Sequence, residues 1–405
     1  MKERWQTTNL GEVLAVLRNG VNRKQDKSGR GFKISRIETI SDATFNPERV
    51  GYADLTPKEK EQYRLQAGDI LFSHINSAVH VGKTAIFDSP EPFYHGVNLL
   101  LMRPKDMLSS SYLEFFLKYL FRGGYWRGVC KQSVNQASVN QQDIARVEIH
   151  YPNSIPEQRR IVGILDEAFD GIATAKTNAE KNLQNARALF ESHLQSVFIQ
   201  RGVGWVETSL GDEINLLSGF PFKSSQYTKS GNSVRLLRGD NIVQGSLRWD
   251  DVKRWPASDT ADYKSYELSE GDVVLAMDRP WVKAGLKRAQ ISADDLPCLL
   301  VQRTARLRGN GSLNNRFLVY LISSGAFTRH ILGVQTGIGV PHISGQQIKD
   351  FRFPKPPMKD QVHFAAQLDD LSTDTQRLES IYQQKLAALE ELKKSLLHQA
   401  FTGAL

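Results

Sequence analysis

Cysteine is nearly absent, with Cys130 and Cys298 the only two in 405 residues. Neither belongs to a CxxC or CxxxH spacing, so no disulfide framework or zinc site is expected, and a reducing cytoplasm is the compartment that fits. Long hydrophobic runs are missing as well: no stretch approaches the roughly 20 apolar residues that span a bilayer. The opening Met1-Lys2-Glu3-Arg4-Trp5 has no apolar run behind it, so a secretory signal is not expected. The nine histidines show no metal-ligand pairing, and there is no nucleophile elbow. A chain without catalytic or metal-ligating residues is therefore expected.

Two stretches imitate cofactor motifs and fail on spacing. Val81-Gly82-Lys83-Thr84 looks like the tail of a phosphate-binding loop, but the glycine required five residues before Gly82 is replaced by Ser77. Asp278-Arg279-Pro280-Trp281 resembles the Pro-Pro-aromatic loop of amino-methyltransferases. Here arginine stands for the first proline, and no glycine-rich cofactor turn precedes it. No cofactor is expected in this chain.

What is present is a duplication. Trp5 followed by Leu10-Gly11-Glu12 returns as Trp205 followed by Leu210-Gly211-Asp212, and Gly68-Asp69-Ile70-Leu71 returns 203 positions later as Gly271-Asp272-Val273-Val274. Gln141-Gln142 returns as Gln346-Gln347, and Ser192, Leu194 and Phe198 return as Ser395, Leu397 and Phe401. A period near 200 is far beyond the roughly 20 to 50 residues of a solenoid repeat, so a whole module has been doubled. The domain boundaries read as a first lobe over 1–155, a helical arm over 156–203, a second lobe over 204–356 and a second arm over 357–405.

The net charge of +8 divides unevenly over these parts. Each lobe carries +5, from 21 basic and 16 acidic residues in the first and 20 and 15 in the second, while the two arms together carry −2. A basic surface without a partner is one reading. Two lobes with the same excess favour a polyanion contacted twice.

The arms read as helices. After Pro152-Asn153-Ser154-Ile155-Pro156, either Asn153 or Ser154 can cap, and a proline is tolerated at an early helical position. Apolar residues then recur in the first arm, among them Leu165, Ile172 and Leu183. In the second arm Leu368, Leu371, Thr375, Leu378, Tyr382, Leu389, Leu392 and Leu396 fall on alternating steps of three and four, the spacing of a coiled-coil seam, with Lys385 the exception. About 45 residues at roughly 1.5 Å each give a rod of about 65 Å. An antiparallel pair of such rods is expected to place the lobes at opposite ends about a pseudo-twofold axis. That length is of the order of the roughly 34 Å between DNA half-sites.

Within the lobes, strand-like runs at Phe32–Ser35, Asp69–Phe72, Thr84–Phe87 and Val97–Met102 precede a helix over 112–120. The second lobe repeats the order with Val234–Leu237, Asp272–Leu275, Leu299–Val301 and a helix around 317–322. The fold class is α+β, with strands dominating.

Amide-rich and polar stretches remain. They are Lys131 to Asn140 and Ser73 to His80 in the first lobe, opposite Val334 to Ser344 and Ala276 to Lys283 in the second. Asn and Gln pair bidentately with adenine in the major groove, Arg and Lys with guanine. A solvated loop capping the next element is the other reading.

On these residues the chain resembles the specificity subunit of a Type I restriction–modification system, along nearly its whole length. The resemblance rests on Leu210-Gly211 with Ser218-Gly219-Phe220-Pro221-Phe222-Lys223-Ser224, and on Gly271-Asp272-Val273. It rests also on Thr336 to Ser344 leading into Phe353-Pro354-Lys355-Pro356-Pro357, and on Gln399-Ala400-Phe401-Thr402-Gly403. The first lobe departs from the pattern, with Arg18-Asn19-Gly20-Val21-Asn22 where Ser218-Gly219-Phe220 would be expected.

The resemblance implies two target-recognition domains, each reading half of a split DNA sequence, joined by two long helices that form an antiparallel coiled coil. It implies two modification subunits that carry S-adenosylmethionine and methylate adenine at N6. Restriction and motor subunits would use ATP and Mg. If the lobes read different sequences, residues shared between them serve the scaffold and residues that differ at matching places read bases. That selects His74, Asn76, His80, Lys83, Gln132, Asn135 and Gln136 in the first lobe. In the second it selects Arg235, Arg238, Asp278, Arg279, Lys283, Gln335 and His342. A recognition subunit of another restriction class, a coiled-coil scaffold and a self-sufficient enzyme are the alternatives. The last would need a cofactor turn or an acidic metal cluster.

Overall fold

The computed structural model describes residues 5–133, 136–337 and 339–405. Contacts divide the chain into two compact units, residues 1–180 with 382–405, and residues 181–381. These units cut across the arms, so that each holds one lobe and part of both long helices.

At the centre of the first unit lies an antiparallel four-stranded sheet in the order Leu14–Asn19, Leu100–Pro104, Ile70–Phe72, Thr84–Ile86. Alternate residues of a strand face opposite sides. Ile70, Phe72, Leu100 and Met102 accordingly enter the core under the helix Ser110–Arg122, whereas Leu71, Ala85, Leu99 and Leu101 enter a second cluster on the other face. Burial on both faces explains why these strands read as continuous apolar runs rather than alternating ones. The second unit repeats the sheet as Ile214–Ser218, Thr304–Gly309, Val273–Ala276, Arg288–Gln290. The helix Asn315–Ser323 covers one face of it.

The registers define the repeat. Ile70 pairs with Met102 as Val273 pairs with Leu307. The central strand is thus offset by 203 positions and its neighbour by 205, the difference lying in surface loops. In each lobe a strand at its start pairs with the strand that leads into the arm, Trp5 opposite Pro152 and Val206 opposite Lys355.

Shared polar residues hold the two scaffolds. Asp69, buried, accepts from Arg103 Nε and Nη2 at 2.6 and 2.8 Å and from the Gln66 backbone N–H at 2.8 Å. Asp272 repeats this with Arg308 at 2.6 and 2.8 Å and with the Ser269 N–H at 2.8 Å. Gln158, one turn into its helix and fully buried, accepts from the Ser109 N–H and donates to the carbonyls of Met107 and Pro152. Gln361 does the same with the Asn314 N–H and the carbonyls of Ser312 and Pro356. Each glutamine satisfies three backbone groups that would otherwise be buried unpaired, two in the loop before the lobe's helix and one at the turn into the arm.

Two glycines are fixed by close approach. Gly20 and Gly219 each lie against backbone, where an added Cβ would meet the carbonyl oxygen of His95 at 2.2 Å or of Val301 at 2.1 Å. Asn19-Gly20 thus stands where Ser218-Gly219 stands, and the first lobe's departure from the family pattern is a change of side chains on an unchanged turn. At Gly82, with φ of +94°, a Cβ would meet the Trp126 ring at 2.1 Å, which makes it a packing glycine of the first core.

The long helices run Ile155–Ile199 and Met358–Thr402, 45 residues each. Ser154 is the residue that caps the first, its Oγ accepting from the Glu157 N–H at 3.4 Å. In the first unit the helices lie antiparallel. Arg160 donates to the Leu405 carbonyl at 3.2 Å and Lys176 to Glu390 at 3.2 Å, and Ile161 and Leu165 share a core with Leu397, Ala400 and Phe401. In the second unit Arg187 donates to Glu379 at 2.7 Å, and Leu194, Val197 and Phe198 share a core with Ala365 and Leu368.

The expected seam needs correction in the second arm. Leu165, Ile172 and Leu368 are buried, and Leu183, Leu371, Tyr382, Leu389 and Leu396 half-buried, but Leu378 and Leu392 are 40% and 46% exposed. The inward stripe passes through Glu379, Tyr382, Leu386 and Lys393 instead. A helix of 3.6 residues per turn drifts about 20° per heptad from a strict seven-residue repeat. Over this stretch the drift moves the inward face by one residue, and Lys385 marks where the sequence reading slipped.

Among the described residues no single helix is long and apolar enough to cross a membrane. The helices Asn315–Ser323 and Gly325–Val334, bent by 63°, reach that length only jointly, and Phe317, Leu318, Leu321, Ile322, Phe327 and Ile331 are fully buried in the second core.

Candidate nucleic-acid interface

In each lobe the chain leaves the central strand at the same end of the sheet, at Ser73 and at Met277, and the polar clusters gather there. In the first lobe Ile75–Asn76, Gln136–Ser138 and Lys131–Ser133 form a three-stranded antiparallel ribbon with Gln136–Ser138 in the middle. Ala137, buried, pairs with both Asn76 and Gln132. The ribbon presents Lys131, Gln132, Ser133 and Gln136 to solvent, with Asn76 half-buried beside them. Its outer pair, Lys131–Ser133 with Gln136–Ser138, is a two-stranded β-ribbon, an element that the major groove admits.

Beneath the ribbon is a cavity of about 480 Å³ lined by Asn19, His74, Ile75 and the turn from Ser138 to Gln142. Gln141 Nε2 donates to Asn19 Oδ1 at 2.7 Å, and Asn19 Nδ2 donates to His74 Nε2 at 3.0 Å. Burial pushes the His74 imidazolium down to about 4, so the ring is neutral at pH 7, with its proton on Nδ1. That Nδ1 is buried without a partner among the described residues. Asn19 and Gln141 were not selected from the sequence. Gln141 was set aside because its neighbour pair repeats, although its bond to Asn19 has no counterpart at Ser218.

Other first-lobe candidates lie apart from this network. His80 is exposed on the turn after Ser77, and Lys83 Nζ is held by the Ser41 carbonyl at 2.5 Å. Asn135 falls outside the described residues.

The second lobe builds a basic hollow of about 600 Å³ at the corresponding end. Arg238, Lys253, Arg279, Lys287 and Arg303 line it against two carboxylates, Asp240 and Asp278. Arg238 pairs with Asp240 at 3.1 Å, and Arg303 Nη1 donates to both oxygens of Asp278 at 3.1 and 2.9 Å. Lys287 has its ammonium pushed down first by burial and also by Arg248 and Arg279, while Asp240 and Asp278 work the other way. The Asp278-Arg279 loop is clamped on the next turn. The Arg279 N–H donates to the Pro341 carbonyl at 2.6 Å, Asp278 bridges to His342, and the Thr336 hydroxyl meets His342 Nε2 at 3.1 Å.

Arg279 and Arg303 have φ of +43° and +67°, two of the three non-glycine residues with positive φ among those described. Such backbone costs about 1–3 kcal/mol and gathers at functional sites. Gln335 lies half-buried at the end of the preceding helix, its N–H on the Ile331 carbonyl. Arg235 lies outside the hollow, over the Trp249 ring at 5.4 Å and bonded to the Asp294 carbonyl at 2.6 Å. Lys283 is exposed on the hairpin of Trp281–Val282 and Gly285–Leu286. Lys253, Lys287 and Arg303 were missed in the sequence because they come from three separate segments and belong to no motif. No group of three metal-ligating side chains occurs among the described residues.

A duplicated α+β lobe with a polar or basic hollow at one end, joined to paired long helices, describes a class of DNA-recognition subunits. The sequence matches the Type I restriction modification DNA specificity domain twice, over residues 2–184 and 202–391. A Methanocaldococcus jannaschii protein assigned as the MjaX type I restriction enzyme specificity subunit is 29% identical over 422 residues, 99% of this chain and 93% of the relative. The EcoAI type I restriction enzyme specificity subunit of Escherichia coli is 37% identical over 198 residues, 49% of this chain and 32% of the relative.

The fold is shared with solved structures. The HsdS subunit from Thermoanaerobacter tengcongensis gives a TM-score of 0.64 at 17% identity, covering 99% of this chain and 97% of that one. A structure from work on assembly and conformational transition of a type I R-M system gives 0.74 at 17% identity, with both chains fully covered. The chain belongs to the Type I restriction–modification specificity-subunit family. Its function is DNA sequence specificity in a Type I system, where it works with other subunits and with DNA as the non-catalytic recognition component.

Proposed function

We propose that each lobe reads one half of a split DNA target, and that the chain directs two modification subunits to methylate adenine at N6 there. The observation that carries this is a scaffold repeated in buried detail beneath unlike surfaces. Asp69 and Asp272, Gln158 and Gln361 keep the same partners in both lobes, while the exposed ends carry an amide-rich ribbon in one and five cations in the other. One DNA backbone calls for one scaffold, and two different base sequences call for two different surfaces.

His74, Asn76, Gln132 and Gln136 are the first-lobe residues best placed for this work. Arg238, Asp278, Arg279 and His342 are those in the second, and Arg235 and Lys83 are the least available. S-adenosylmethionine belongs to the modification subunits, and ATP and Mg to restriction and motor subunits that join them, all acting in the cytoplasm. Methylation requires the adenine to leave the stack, at a cost of roughly a few kcal/mol. The lobes contribute by holding the duplex on both sides of it.

The test is the methylome of cells expressing this chain with its methyltransferase. N6-methyladenine at one split motif, lost when this chain is omitted, is the expected result. A continuous motif, or methylation independent of this chain, would overturn the reading.

A further inference from the structure

The loop that follows the buried turn of each lobe carries one exposed residue in an equivalent place. In the first lobe the Val97 N–H donates to the Val21 carbonyl at 3.1 Å, and in the second the Gln302 N–H donates to the Phe220 carbonyl at 2.8 Å. From there the strands run on in one register, Leu100 opposite Phe72 and Ala305 opposite Leu275. The residue after Val97 is Asn98, and the residue after Gln302 is Arg303. Both are exposed, and both adjoin the hollows described above. The Val97 carbonyl accepts from Asn19 at 3.3 Å, and Arg303 lines the basic hollow.

The two side chains have the chemistry of different bases. Asn98 makes no side-chain hydrogen bond among the described residues, so its amide is free to donate and accept together, as adenine requires. Arg303 is 64% exposed, and its partner Asp278 is 29% exposed. Both Asp278 oxygens contact the same nitrogen, Nη1, which leaves Nη2 and Nε to form the fork that matches guanine O6 and N7. The positive φ of Arg303 and the bond from the Met277 N–H to its carbonyl at 2.8 Å fix the direction in which the side chain leaves the loop.

We propose that Arg303 and Asn98 are matched base-reading residues, Arg303 for a guanine in the second half-site and Asn98 for an adenine in the first, with Asp278 a positioning residue for Arg303. This rests on the reading that each lobe contacts one half-site. It changes the role of Asp278 from a base-reading candidate to support for a guanidinium.

The experiment uses the full chain assembled with its methyltransferase. The probes are duplexes carrying the motif found in the wild-type methylome and every single-base change in both half-sites. In Arg303→Ala, discrimination at one guanine of the second half-site should fall by about tenfold to a hundredfold, with the first half-site unaffected. Asn98→Ala should do the same at one adenine of the first half-site. Asp278→Asn should weaken discrimination at the same guanine only, and Asp278→Glu should restore part of it; a purely structural role would move no single base position.

A second half-site made only of A·T pairs would overturn the assignment. So would an Arg303→Ala loss spread evenly over all positions, which is the mark of a phosphate contact. If Arg279→Ala alters the second half-site and Arg303→Ala does not, the lobe reads DNA and this assignment fails. If neither alters it, the reading of the hollow itself fails.

Discussion

At the scale of single residues, the repeat separates what holds a lobe from what the lobe presents. Asp69 and Asp272 are legible as scaffold because both follow a glycine at the same offset, but their partners are not. Arg103 and Arg308 are 205 positions apart rather than 203, since the second lobe has gained residues in loops, where insertions are tolerated. The same shift hid Arg303, and Asn98 was concealed differently. It sits inside an apolar run, Val97 to Met102, that reads as a strand, whereas the strand begins at Leu100 and the residues before it form the loop. For the ion pair the expectation is definite. Asp272→Ala leaves the Arg308 guanidinium and the Ser269 N–H without their acceptor. A fully buried pair broken this way costs about 3–5 kcal/mol. Because the Arg308 side chain is 38% exposed, water takes over part of the role, and about 2 kcal/mol is expected. Urea unfolding of the variant should show a lowered midpoint with an unchanged slope.

At the scale of elements, the long helices were the most legible part and their inward face the least. Proline at the approach to the first turn and 45 residues without an internal break announce each helix, and Ser154 adds a cap to the first. Which residues face inward depends on a difference of a tenth of a residue per turn, and that accumulates over a rod of this length. Strand pairing at the base of each lobe was invisible for another reason. Trp5–Asn9 and Glu148–Pro152 are far apart in sequence, and neither alternates cleanly. The corrected face makes a comparison possible within one helix. Leu368 is fully buried, so Leu368→Ala removes packed methyl groups and is expected to cost about 2–5 kcal/mol. Leu378→Ala, ten residues on, removes a side chain that is 40% exposed and should stay within about 1 kcal/mol. Thermal melting of the two variants followed by helical circular dichroism measures both. Equal losses would restore the seven-residue seam.

At the scale of the whole molecule, the two units share a backbone scaffold and differ in how they meet acid. The first unit buries two histidines that the second replaces, His74 by Met277 and His95 by Leu300 at the equivalent positions. Burial holds the His74 imidazolium down to about 4 and the His95 imidazolium to about 3, where a bond from Nε2 to the Leu99 carbonyl works the other way and Arg18 and His74 add to the depression. Above pH 6.5 both rings are neutral in the folded and the unfolded chain, and they contribute no pH dependence. As the pH falls through that value, the unfolded chain binds protons that the folded lobe excludes, so stability is lost progressively from about pH 6.5 down to about 4 for His74 and about 3 for His95. Glu114 opposes this, since burial raises its carboxyl despite Lys118, and so does Asp166, raised by burial and by Asp170, but His74 and His95 are the more deeply shifted groups. The second unit has no such pair at these positions. Its buried carboxylate Glu213 would be raised by burial, but bonds from Lys355, Ser312 and Thr208 hold it below its ordinary value of 4.5, so its contribution is lost only beneath that range. Between pH 6.5 and 4.5 the first unit should therefore open before the second. Amide hydrogen exchange, corrected for the intrinsic pH dependence, should show protection falling at Ile70–Phe72 and Leu100–Pro104 while Val273–Ala276 and Thr304–Gly309 keep theirs. Replacing the histidines by the second unit's own choices, His95→Leu with His74→Met, should remove most of that difference. Parallel loss of protection in both sheets would mean that the histidines do not govern the acid response.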